Sequence, residues 1–197
     1  MHSIVIPTII FATNNAHKVT EVRAVLGNKY QVLPLQEAGI LIDIPEPFNT
    51  LEANAHEKCR VIFELTGNNC FSEDTGLEVF ALNGEPGVIS ARYAGENRSA
   101  ADNMQKLLHN LKNVSNRKAQ FKTVISLVWN SEWYQFTGIC EGQIIHEPRG
   151  AAGFGYDPIF VPDGANKTFA EMNMNEKNEF SHRKKATQQL LHFLLKQ

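Results

Sequence analysis

The sequence predicts an α/β protein with a central mixed β-sheet flanked by helices. Strand and helix patterns alternate in the first half of the chain, and strand patterns occupy most of the second half. Alternation of this kind is typical of helices packed on a sheet. The length of 197 residues allows one sizeable core. We therefore expect a single domain over residues 1–197.

Apolar runs alternate with helical patterns in the first half of the chain. Residues 4–12 predict a buried strand, and a helix with one apolar face follows and ends near Gly27. Residues 30–35 predict a second strand. A loop then leads to a helix that begins at Asn49 or Thr50, since both residue types are good N-caps.

Strand patterns predominate in the second half. Residues 70–77 and 78–82 predict two short strands, and a helix with an apolar inner face follows at residues 104–111. Residues 119–129 and 133–140 predict a hairpin. The remaining predicted elements are strands at residues 142–146 and 159–161 and a final helix that begins near Ser181.

The composition excludes several functional classes. A formal net charge of -2 argues against wholesale nucleic-acid binding. The three cysteines form no Cys-x-x-Cys pair, so they predict reduced core thiols rather than a zinc site. The first apolar run is interrupted by Pro7 and lacks a basic leader, and no stretch is long enough to span a bilayer. We expect a cytoplasmic protein that binds neither nucleic acid nor membrane.

The turn between the first strand and the first helix is chemically informative. The polar residues Thr13-Asn14-Asn15 precede the helix, and Lys18 lies near its first turn. Free backbone N–H groups and the positive end of the dipole at a helix start favour an anion. The segment therefore fits a phosphate site, although a capped and solvated turn has the same pattern.

Adjacent carboxylates mark the end of a later strand. Glu73 and Asp74 repel each other unless a cation or hydrogen-bond donors offset their charge. With Glu46 from the acidic loop, three carboxylates could converge on Mg²⁺, which prefers oxygen ligands and bridges substrate phosphates. The alternative is a solvated turn in which Asp74 is a local cap.

Two further segments could recognise a ring system. In Gly153-Phe154-Gly155-Tyr156-Asp157, the glycines allow close backbone approach and either aromatic ring could stack on a base. Lys177 and the segment Ser181-His182-Arg183 supply donors, and the Arg183 fork could recognise a carbonyl edge. The alternatives are a strand-entry loop whose aromatic residues fill the core and an exposed, charged cap.

Together, these segments resemble the inosine triphosphate pyrophosphatase family over nearly the whole chain. The motifs occur in the expected order and are Thr13-Asn14-Asn15 with Lys18, Glu73-Asp74-Thr75-Gly76-Leu77, Pro86-Gly87 with Ser90-Ala91-Arg92-Tyr93, Gly153-Phe154-Gly155-Tyr156-Asp157-Pro158, and Ser181-His182-Arg183. The resemblance implies two lobes with a nucleotide cleft between them and a homodimer. It also implies Mg²⁺-dependent hydrolysis of ITP, dITP and XTP to the monophosphate and pyrophosphate.

The resemblance also implies residue roles. Asp74 would be the proton acceptor, Lys18 would neutralise phosphate charge, and Glu46 and Asp74 would hold Mg²⁺. The implied substrate-binding residues are Thr13, Asn14, Asn15, Ala16, His17, Lys18, Thr75, Phe154, Gly155, Tyr156, Asp157, Lys177, His182 and Arg183. The chain departs from the common family pattern at Asn14, at Glu73-Asp74-Thr75 and at Ala53, which replaces a second Glu.

Other functions fit the same residues. A related pyrophosphatase could act on modified pyrimidine triphosphates, and a nucleotide sensor could bind without hydrolysis. A structural α/β interaction protein would bind no nucleotide at all.

Overall fold

The structure is a computed structural model and describes residues 6–197. The predicted first strand is formed from Thr8 to Phe11, and residues 4 and 5 of that prediction lie outside the described residues. The strands are β1 Thr8–Phe11, β2 Gln31–Pro34, β3 Cys70–Val79, β4 Pro86–Gly87, β5 Lys118–Trp129, β6 Glu132–Ile144 and β7 Phe160–Pro162. The helices are α1 Ala16–Leu26, α2 Leu51–Thr66, α3 Ala100–Asn110, α4 Met174–Phe180 and α5 His182–Leu194.

The strands form a mixed sheet. Their order is β2-β1-β3-β5-β6-β7, and β4 pairs with β3. β1 is parallel to both β2 and β3, whereas β4 is antiparallel to β3 and β7 is antiparallel to β6. Helices α1 and α2 provide the connections that parallel strands require. The predicted α/β fold with a mixed sheet and helices is confirmed.

Several elements of the structure differ from those predicted. β3 is one continuous strand, and residues 80–82 form a short 3-10 turn instead of a strand. β6 continues through Glu141, whose side chain lies on the exposed face of an alternating strand. The extra helix α4 begins with a capping box of Asn173 and Glu176, a local signal that the sequence analysis overlooked.

The first of two compact units contains the described residues up to Asp74, Val124–Thr137 and Arg183–Gln197. Phe11 and Phe71 stack in its core with ring centroids 4.4 Å apart. One apolar cluster consists of Ile9, Phe11, Val19, Val22, Leu26, Val32, Phe71, Ile125, Leu127, Ala186, Leu190 and Leu194. A second cluster packs around Cys59, Ile62 and Cys70.

The second unit contains Thr75–Thr123 and Gly138–His182. Its apolar cluster includes Leu107, Phe121 and Phe160. The buried Arg117 guanidinium donates to backbone carbonyls of Leu111, Ile144 and Ile145, one from each of its nitrogens. No helix in the described range combines the length and apolar composition needed to cross a bilayer.

Candidate functional site

The start of α1 in the first unit is built by two asparagines. Asn15 is the N-cap, and its Oδ1 accepts hydrogen bonds from the backbone N–H groups of His17 (3.0 Å) and Lys18 (3.2 Å). Asn14 Oδ1 accepts from the backbone N–H of Gln36 at 3.0 Å, which ties the turn to the segment after β2. Residues 14–17 are exposed, so this capped helix start is accessible to a solute.

Beside this helix start, four charged side chains alternate in sign. Lys18 Nζ lies 3.1 Å from Glu73 Oε1. Arg183 Nε donates to Glu73 Oε1 at 3.0 Å and Oε2 at 2.9 Å, and Arg183 Nη1 donates to Glu21 Oε2. Arg183 is only 1% exposed. Burial by itself raises the pKa of Glu73, but the charges of Arg183 and Lys18 outweigh it and hold that pKa well below its usual value.

In the same unit, the carboxylates of two acidic residues, Glu46 and Asp74, contact the ammonium group of one lysine. Lys58 Nζ on α2 donates to Glu46 Oε1 and lies 3.4 Å from Asp74 Oδ1. Burial lowers the pKa of Lys58, but the charges of Asp74 and Glu46 outweigh this effect and raise it. Burial raises the pKa of Asp74, and the nearby Lys58 only partly opposes that shift. Asp74 is therefore a stronger proton acceptor than an exposed aspartate.

The expected convergence of three carboxylates is wrong for the described residues. Among them, no group of three or more His, Cys, Asp or Glu side chains could hold a metal ion. Glu73 pairs with Arg183 and Lys18, whereas Glu46 and Asp74 share the Lys58 ammonium. Two hard carboxylate oxygens that already converge on one positive charge suit Mg²⁺, which commonly takes its other ligands from water and phosphate.

In the second unit, the glycine-aromatic loop is organised by Asp157. Its Oδ2 accepts from the backbone N–H of Phe154 at 2.9 Å and from Lys177 Nζ at 2.8 Å. Gly153 has φ +75°, and a Cβ there would lie 2.2 Å from Asp157 Oδ2, so the loop requires glycine. Lys177 Nζ also lies 5.2 Å from the centre of the half-buried Phe154 ring.

The two aromatic residues of this loop have different surroundings. Phe154 is partly exposed, whereas Tyr156 is 4% exposed and its hydroxyl donates to the backbone carbonyl of Ser90 at 2.8 Å. The Tyr156 ring therefore belongs to the core, and any contact between Tyr156 and a ligand would be made by its backbone.

Two other predicted residues of the second unit are held by neighbours. Thr75 Oγ1 and Thr123 Oγ1 are 2.7 Å apart and share a hydrogen bond. The buried His182 ring stacks on Phe121 with centroids 4.7 Å apart and an interplanar angle of 13°. Both side chains are thus fixed in orientation by residues that the sequence analysis did not select.

The predicted residues fall into two sets. The helix start, Glu46, Asp74 and Arg183 belong to the first unit, and Thr75, Phe154, Gly155, Tyr156, Asp157, Lys177 and His182 belong to the second. Neither Glu21 nor the partnership of Lys58 with Glu46 and Asp74 was predicted from the sequence. Glu21 follows Lys18 by three residues, which places the two opposite charges one turn apart on α1, and this spacing was the available signal.

Known proteins are similar to this chain over both the first and the second group of predicted site residues. Residues 9–193 match the sequence model of the Ham1 family. The dITP/XTP pyrophosphatase of Flavobacterium johnsoniae is 50% identical over 186 residues, which are 94% of this chain and 97% of that protein. The structure of the Staphylococcus aureus Ham1 protein has a TM-score of 0.88 and 39% identity, and the match covers 96% of this chain and 98% of that chain. A Coxiella burnetii HAM1 protein has a TM-score of 0.89 and 38% identity, with 97% and 100% covered.

Proposed function

Since this chain belongs to the Ham1 family, we propose that it hydrolyses deaminated purine nucleoside triphosphates, namely ITP, dITP and XTP, to the monophosphate and pyrophosphate. The membership confirms the resemblance that the sequence motifs indicated. Relatives named dITP/XTP pyrophosphatase support the substrate class. The observation that carries the proposal is the meeting of Asp74 with Lys58 and Glu46 in the unit that also contains the helix start of Lys18.

The triphosphate is proposed to bind at the start of α1. The exposed residues 14–17 surround the positive end of the helix dipole, and Lys18 adds an ammonium group in the first turn. Lys18 would neutralise charge on the phosphate oxygens as it develops, while Glu73 keeps its ammonium oriented at 3.1 Å.

We also propose Mg²⁺ dependence, with Glu46 and Asp74 as the protein ligands. When bound, Mg²⁺ would neutralise negative charge on the phosphate oxygens. The carboxylates of Glu46 and Asp74 are supported for this role because both already contact one cation, the Lys58 ammonium.

Asp74 is proposed as the proton acceptor. Water would attack the α-phosphorus, the bond from that phosphorus to the bridging oxygen would break, and pyrophosphate would leave. Asp74 would orient the attacking water and accept its proton. Positioning and electrostatic stabilisation would supply most of the catalysis.

The base is proposed to bind to residues of the second unit. The partly exposed Phe154 ring offers a stacking surface, and Lys177 beside it offers a donor for the 6-carbonyl of a deaminated purine. Adenine presents an amino group there and would leave such a donor unpaired. The Arg183 guanidinium, which the sequence suggested for this contact, pairs with Glu73 and Glu21. A homodimer is proposed on the family resemblance alone, and a cytoplasmic location is proposed on the three buried cysteines, all of them reduced thiols.

Pyrophosphate release tests the function directly. We expect release from ITP, dITP and XTP with Mg²⁺, little release from ATP or modified pyrimidine triphosphates, and little without the metal ion. Asp74→Asn should lose about 100-fold or more in turnover, because a general base contributes roughly that much. Asp163→Asn, at an exposed aspartate, is the control and should keep normal turnover.

Two outcomes would contradict the proposal. No pyrophosphate release from any deaminated purine triphosphate would exclude the substrate class. Near-normal turnover of Asp74→Asn, at an unchanged melting temperature, would exclude Asp74 as the proton acceptor.

A further inference from the structure

The loop that carries Glu46 has no regular structure of its own. Residues 41–47 form neither helix nor strand, and Glu46 lies between Pro45 and Pro47. Proline has no backbone N–H and restricts the residue before it to extended conformations. The first backbone donor after Glu46 is therefore the N–H of Phe48.

One buried side chain holds the loop at this donor. Asn54 Oδ1 accepts from the Phe48 N–H at 2.9 Å, and Asn54 Nδ2 donates to the Phe48 carbonyl at 3.0 Å. Asn54 is fully buried, whereas the Phe48 side chain is largely exposed. Because both halves of the amide bind the same backbone residue, the loop is fixed in direction as well as in position.

The distance between two side chains on α2 matches the distance between the two loop residues that they bind. Asn54 and Lys58 are four residues apart on α2, which places their Cβ atoms about 5–6 Å apart on one face. Glu46 and Phe48 are two residues apart in a proline-restricted segment, which spans about 6 Å at the rise of polyproline II. Asn54 can thus bind the Phe48 backbone while Lys58 binds the Glu46 carboxylate.

We propose that Asn54 is a positioning residue that presets the Glu46 carboxylate for a divalent cation through its two hydrogen bonds to Phe48. This inference rests on the proposed role of Glu46 and Asp74 as metal ligands. Lys58 contacts the same carboxylates that would bind the cation, so its contact with Glu46 changes when a cation binds. The two hydrogen bonds of Asn54 are to the Phe48 backbone and therefore remain when a cation binds.

The chain offers a matched control in the second unit. Asn103 on α3 is also buried, accepts from the Ala94 N–H at 2.6 Å and donates to the Ala91 carbonyl at 3.0 Å. Asn54→Ala and Asn103→Ala therefore remove equivalent pairs of hydrogen bonds, and only the first pair lies beside a proposed metal ligand.

Binding of Mn²⁺ to the nucleotide-free protein, measured by electron paramagnetic resonance of the free ion, tests the inference. We expect Asn54→Ala to weaken Mn²⁺ binding about 10-fold or more, as outer partners of metal ligands commonly do. Asn103→Ala should leave the affinity within about two-fold while it lowers the melting temperature similarly. In a Glu46→Gln background, Asn54→Ala should cause no further loss, because Asn54 acts through Glu46.

The outcomes separate the inference from the function on which it rests. Equal Mn²⁺ affinities for Asn54→Ala and Asn103→Ala, with weaker binding by Glu46→Gln, would overturn only the role of Asn54. Unchanged Mn²⁺ binding by Glu46→Gln would overturn the metal ligands and the inference together. Failure to hydrolyse nucleotides, with the expected Mn²⁺ results, would overturn only the proposed function. If Asn54→Ala does not fold, Asn54→Ser with Asn103→Ser provides the same comparison.

Discussion

The substitution Arg183→Met probes the buried charges of the first unit. The arginine side chain is 1% exposed and pairs with Glu73 and Glu21, so its loss leaves two buried carboxylates without their main cation. Removing one partner of a buried ion pair costs about 3–5 kcal/mol. We expect a loss of about 3–5 kcal/mol in the free energy of unfolding at pH 7, because the second lost pair is partly offset by Lys18, which stays 3.1 Å from Glu73.

The loss of stability caused by Arg183→Met should become smaller as the pH falls. In the parent protein, burial raises the pKa of Glu73, but Arg183 and Lys18 outweigh burial and lower it. A carboxylate whose pKa is lowered by folding stabilises the folded state. This stabilisation is fully present above the pKa of the carboxylate in the unfolded chain, about 4.3, and is lost as the pH falls through its pKa in the folded protein. Without Arg183, burial dominates and the folded pKa rises, so protonation then stabilises the variant. The difference between parent and variant should therefore shrink from pH 7 to pH 5.

Urea denaturation of parent and variant at both pH values measures these differences. Adding Glu73→Gln to Arg183→Met should recover part of the stability at pH 7, because one of the two buried carboxylates that lose the arginine charge is gone. Arg60→Met is the control, since Arg60 also has two glutamate partners, Glu57 and Glu64, but lies on the surface of α2 and should matter little. A loss below about 1 kcal/mol for Arg183→Met, or a loss that is the same at pH 5 and pH 7, would refute the reasoning.

Two further predictions concern the glycine-aromatic loop and are measured by the same denaturation assay. Gly153→Ala should cost more stability than Gly164→Ala. Both glycines have positive φ. The new Cβ at position 153 would lie 2.2 Å from Asp157 Oδ2, whereas the new Cβ at position 164 would have no neighbouring atom closer than 4.0 Å. Equal losses would show that the contact with Asp157 is relieved without cost. Lys177→Met should cost about 3–5 kcal/mol, because it removes the ammonium group that pairs with the buried Asp157 carboxylate, whereas Lys167→Met at the surface should change little. A small effect of Lys177→Met would mean that water replaces the ammonium group.

The fold class and most elements could be predicted because they depend on local patterns. Apolar runs gave the strands, and Thr50, one of the two predicted N-caps, caps α2 in the structure. The division of residues 132–144 into two strands was wrong because a single charged residue on the exposed face does not interrupt a half-buried strand. Helix α4 was missed although its capping box is visible in the sequence.

The sequence by itself determined the features that depend on neighbours along the chain. The Asn15 cap, the hydrogen bond from the Asn15 N–H to Thr13 Oγ1 and the requirement for glycine at position 153 all arise from contacts within four residues. Contacts over such short separations depend mainly on residue type and spacing, so the sequence indicates them.

Only the tertiary structure decided which charges meet. Arg183 reaches Glu73 across 110 positions of sequence, and Lys58 reaches Glu46 and Asp74 from a different element. In the sequence, each of these residues has several potential partners of opposite charge. The path of the chain selects among them, because an opposite charge within a few ångströms offsets the cost of burying an ion.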